Sequence, residues 1–151
     1  MGLKAVQIRN IISSTLVVIF AALVFWIVCR GRFGGHKLYL SLYLSVIAVL
    51  GIVFGLLGIV LVVLTIRLKE SGIRKWFFMI MGISAAGIPI SAILHNVIYG
   101  LLSLFFGKEF WGKGGDEPAF FILALLVFPV LFIISAVGNL IIFISSRLKK
   151  C

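Results

Sequence analysis

The sequence predicts an all-α integral membrane protein: one domain over residues 1–151, with four transmembrane helices in an antiparallel bundle and both termini in the cytoplasm. Three observations lead there. The first is composition. Hydrophobic residues make up 63% of the chain and mean hydropathy is +1.30, more apolar surface than a water-soluble fold of this length can hide. The second is segmentation. The apolar residues fall into four runs, 11–29, 38–66, 76–106 and 118–146, and none contains Lys, Arg, Asp or Glu. About 20 apolar residues in a helix cross a bilayer, so the longer runs tilt or extend into the headgroups. The third is charge placement. Lys4, Arg9, Arg67, Lys69, Arg74, Lys75, Arg147, Lys149 and Lys150 fall on one side of a four-span topology, nine in all, against five on the other. The positive-inside rule assigns the side with nine to the cytoplasm. The expected compartment is a plasma or inner membrane.

The net charge of +10 lies wholly in the connecting segments. Its natural counterpart is the anionic headgroup of a lipid bilayer, not a nucleic acid. Cys29 and Cys151 fall on opposite sides and so cannot pair within one chain. Cys151, beside Lys149 and Lys150, is open to acylation.

The first run follows a short polar lead-in, and Asn10 is the expected cap of its helix. It is too long for a signal-peptide core, and Phe25-Trp26-Ile27-Val28 lacks the small residues of a cleavage site. From Leu16 to Val28 it is bulky with no small-residue seam, which predicts a peripheral, lipid-facing helix. Residues 30–37, RGRFGGHK, read as a basic turn.

The second run carries the clearest pattern. Ser41, Ser45, Ala48, Gly51, Gly55 and Gly58 recur at steps of three and four, placing small residues along one stripe. In lipid, helices associate by close packing, which small residues permit. Ser71-Gly72 is the expected corner before the third run, where Trp76 marks the interface.

Ser84, Gly87, Ser91 and His95 fall on one face of the third helix, and Pro89 predicts a kink near mid-membrane. Gly107 is a natural stop. In the loop that follows, Phe110 and Trp111 read as an interfacial anchor. Asp116 and Glu117, before Pro118, read as helix-capping acids. The fourth run has a second mid-membrane proline, Pro129. Its Ser135 and Asn139 share a face, and Asn139 is expected to meet another helix because an amide in lipid needs a partner.

His95 is the only ionisable group expected within the bilayer apart from tyrosine hydroxyls, and such a group is a functional candidate. With Asn96, Ser45, Ser91 and Tyr99 it forms the candidate polar cluster. Matching depths across the second and third helices predicts that their small faces meet and that His95 lies near Ser45. The helix-packing set is Ser41, Ala48, Gly51, Gly55, Gly58, Ser84, Gly87 and Asn139. No acid or second histidine shares the depth of His95, so neither a metal nor a cofactor is expected. No Ser-His-acid set appears either, so an enzyme is not expected. The leading functional reading is an accessory or assembly subunit that binds itself or a larger membrane partner through small-residue faces. The alternative is an oligomeric small-solute transporter or channel with a polar path at Ser84, Ser91, His95 and Asn139.

Overall fold

The computed structural model describes residues 2–30, 37–68, 72–107 and 118–148, and all regular structure in them is helical. Helix α1 spans Gly2–Arg30, α2 Lys37–Arg67 and α3 Ile73–Phe106. The fourth span is composite: α4 Pro118–Ile122, a π-helical turn Leu123–Val127, and α5 Phe128–Leu148. Among the described residues, four helical spans are long and apolar enough to cross a membrane. The readings of the basic turn, the Phe110–Trp111 anchor, the Asp116–Glu117 cap and Cys151 lie outside the described residues. So does the side chain of Ser41.

Two local features follow from proline chemistry. Helix α3 continues through Pro89. Pro129 acts differently: its ring clashes with a carbonyl one turn earlier, and the helix widens just before it. There Phe128 N–H reaches back five residues to donate to the carbonyl of Leu123. Gly72 (φ 96°) precedes α3 and Gly107 (φ 80°) ends it, both in the left-handed region that glycine tolerates.

Asn10 does not cap α1. The helix starts at Gly2 and passes through it, since nothing from Leu3 to Asn10 breaks a helix. Helix α1 is largely exposed from Val17 to Val28, as expected of a lipid-facing helix, but it also has a packed face. Arg9, Ser13 and Leu16 are buried on one face, and Phe20 joins them a turn later. The sequence reading sought small residues as the mark of a packed face. This face packs through aromatic and aliphatic bulk instead.

The centre of the bundle is an aromatic trio. Phe20 of α1 lies 4.7 Å from Phe132 of α5, centroid to centroid, and Phe54 of α2 lies 5.3 Å from Phe132. Tilted ring pairs of this kind add about 0.5–1.5 kcal/mol each beyond burial. Leu16, Leu61, Phe78, Met81 and Ala85 complete the core. Outside it, apolar side chains such as Phe25, Val49, Ile83, Leu104 and Ile133 are exposed along all four spans. Such surface suits hydrocarbon surroundings.

Helices α2 and α3 meet through missing side chains. A Cβ on Gly58 would lie 2.7 Å from the Gly82 carbonyl oxygen and 2.8 Å from the Ala86 nitrogen. A Cβ on Gly55 would lie 2.8 Å from Pro89 Cγ, and one on Gly82 would strike Val62. As α2 is followed from Gly55 to Val62, its partners on α3 run back from Pro89 to Gly82.

The α3 face in this contact is thus Gly82, Ala85, Ala86 and Pro89. The other expected face of α3 turns to the fourth span. The Phe128 ring covers Gly87, and in return the Phe77 ring of α3 covers Gly138. This division corrects the expectation that the Ser84–His95 face would pack on α2. Two small-residue faces exist on α3, and the backbone contact with α2 takes the one with glycine and alanine four residues apart.

Candidate functional site

The candidate polar residues divide between two environments. Ser84 and Ser91 are buried, at 1% and 4% exposure, on the α3 face that meets the fourth span. His95 continues that face, half-buried, with its ring 5.5 Å from the Phe121 ring of α4. Asn139 is buried on α5 and points its Nδ2 at the sulfur of Met81, 3.9 Å away. Ser13 of α1 donates its hydroxyl to the same sulfur at 3.3 Å. Met81 of α3 is therefore a shared acceptor for donors from two other helices, α1 and α5. Ser84 Oγ and Asn139 Oδ1 are buried and make no hydrogen bond among the described residues. Neither a thioether acceptor nor an unanswered carbonyl oxygen adds much stability, so this interior polarity is weakly satisfied.

The second environment lies further along α3, beyond Pro89. Continuing the Gly55–Pro89 register puts His95 level with Val49 and Tyr99 level with Ser45, one turn from the predicted His95–Ser45 level. Here the two helices bury less. Ser45 and Ala48 are exposed, and a Cβ on Gly51 would meet nothing within 4 Å. On α3, Ala92, Asn96 and Gly100 recur every four residues and all three are exposed, with open space at Gly100 as well. Of the predicted packing glycines, Gly55 and Gly58 lie in a tight contact and Gly51 does not.

Asn96 is the telling residue. Its Nδ2 donates to the Ala92 carbonyl at 2.8 Å, a bond within its own helix. At about 1.5 Å rise per residue, Asn96 lies roughly 10 Å from the middle of α3, inside the half-thickness of a hydrocarbon core. Other polar side chains also turn back on their own helices: Thr65 bonds the Leu61 carbonyl at 2.7 Å and Ser135 the Phe132 carbonyl at 2.9 Å. Those two are fully buried, whereas Asn96 is exposed.

A separate groove of about 320 Å³ lies between α2 and α3 and is lined only by apolar side chains, among them Ile59, Val63, Ile83, Ile90 and Phe128. Among the described residues, no three His, Cys, Asp or Glu side chains come together in a metal-binding group. Cys29 is a free thiol.

The sequence reading missed the cationic end of the bundle. Arg9 is fully buried, and its guanidinium carbon sits 4.1 Å from the centroid of the Phe78 ring. Arg74 approaches the same ring at 5.5 Å. Arg9, Ser13, Leu16 and Phe20 are spaced four, three and four apart, a helical signal that crosses the boundary of the first apolar run.

This architecture is that of a multi-pass helical membrane protein. No family model matches the chain, and neither a curated protein nor a solved structure matches it.

Proposed function

We propose that the protein is a membrane interaction subunit, and that the exposed Ala92–Asn96–Gly100 face of α3 receives a transmembrane helix of another chain. The carrying observation is Asn96: an exposed primary amide in the central part of an apolar helix, whose Nδ2 bonds its own helix. An amide carbonyl facing hydrocarbon is costly, and a neighbouring helix with a donor removes the cost. Ala92 and Gly100, one turn on either side, let a partner backbone come close. Ser45, Ala48 and Gly51 of α2 extend the small-residue surface at the same level.

Purification in a mild detergent tests this. A stoichiometric second chain, or a second copy of this one, is expected to accompany the wild-type protein and to be lost with Asn96→Leu or Gly100→Leu. A monomer that carries no partner, and solute flux in liposomes that His95→Ala abolishes, would replace this reading with that of a transporter.

A further inference from the structure

Two cationic side chains from different helices meet at the end of the bundle where α1 begins and α2 gives way to α3. Arg9 and Arg74 come from different helices, yet both guanidiniums converge on the Phe78 ring, at 4.1 and 5.5 Å from one centroid. The two cations are therefore no more than about 10 Å apart. Arg74 Nε is buried and makes no hydrogen bond among the described residues. In the sequence, the stretch from Arg67 to Lys75 contains four cations, Arg67, Lys69, Arg74 and Lys75, against a single acid, Glu70. One carboxylate cannot neutralise these four cations, wherever it points.

The site also stands at the right depth. Arg74 is the second residue of α3, and Trp76, two residues later, is exposed as an interfacial side chain is. Both guanidiniums lie within cation–π reach of the Phe78 ring, which biases their positions before any ligand arrives. A half-buried arginine at the membrane surface, with a second cation buried behind it, suits the phosphate oxygens of a lipid, because a planar guanidinium offers two parallel donors.

We propose that Arg74, with the buried Arg9 behind it on the Phe78 ring, binds the phosphate of an anionic phospholipid as a specific site. It rests on the helices crossing a bilayer and not on the Asn96 face, so the two readings fail separately.

Native mass spectrometry of the detergent-solubilised protein tests it. Phosphatidylglycerol and phosphatidylcholine of identical acyl chains are compared, with inorganic phosphate as a competitor. Wild-type protein is expected to retain phosphatidylglycerol at least tenfold more strongly. Arg74→Gln should lower that preference roughly tenfold, as expected for one charge-assisted contact, and the exposed Lys4→Gln should change it less than twofold. Equal retention of the two lipids overturns the proposal, as do equal losses in the two variants, which would show only diffuse attraction. Displacement of the lipid by millimolar inorganic phosphate overturns it in favour of a soluble-anion site. The wild-type comparison decides even if Arg74→Gln does not fold.

Discussion

The ring of Pro89 occupies the space that a side chain on Gly55 would need: an added Cβ would stand 2.8 Å from Pro89 Cγ. This contact, with that of Gly58 on the Gly82 and Ala86 backbone, closes one half of the α2–α3 seam. Gly51, on the same helix, meets nothing within 4 Å. The seam thus divides glycines that a single stripe would treat alike. Gly58→Ala should destabilise the protein by about 1–3 kcal/mol, the usual range for overpacking, because backbone atoms cannot move aside as a side-chain tip can. Gly51→Ala should leave stability within about 0.5 kcal/mol. Thermal unfolding in detergent measures both, and equal losses would contradict the seam.

The trio of Phe20, Phe54 and Phe132 ties α1 into the bundle. Phe132→Ala removes the ring that both others touch, and a loss of roughly 3–5 kcal/mol is expected, as for other large-to-small changes in a packed interior. Proteolysis should then release α1 first, because its other buried contacts lie around Arg9, Ser13 and Leu16 at one end. A variant whose α1 resists cleavage as in the wild type would show that the trio does not secure it.

Asn139 is a different case. Its only hydrogen bond among the described residues is a long one to Met81 sulfur, and its Oδ1 has no hydrogen-bond partner there. Replacing a poorly satisfied buried amide with an apolar side chain of similar size is often neutral or favourable. Asn139→Leu should therefore leave the unfolding temperature unchanged or raise it, by no more than about 1 kcal/mol equivalent. A clear loss would mean that the Met81–Asn139 contact supports the fold.

Much of the architecture was legible in the sequence because a bilayer imposes a coarse rule. A helix that crosses hydrocarbon must be long, apolar and uncharged, so the four runs appear as blocks. Gly58 and Gly55 were legible as close-contact positions because a repeating small residue has one physical use in a helix interface. The face of α3 that each neighbour takes was not legible, since α3 carries small residues on both sides and the Gly82–Ala86 pair competes with Gly87. The burial of Arg9 was missed for another reason. A charged residue beside an apolar run reads as solvated, and only tertiary contact reveals Phe78 waiting beneath its guanidinium. The π turn was not foreseen because Pro129 announces a disturbance without saying whether the helix bends or widens.

The most direct test concerns the exposed amide of α3, Asn96. A photo-activated crosslinking amino acid is placed at Gly100, beside Asn96, and in a second variant at Ile133 on the exposed side of α5, and both are irradiated in native membranes. The account predicts one discrete protein adduct from position 100, abolished when Asn96 is changed to Leu, and only lipid adducts from position 133. Lipid adducts alone from both positions would contradict it.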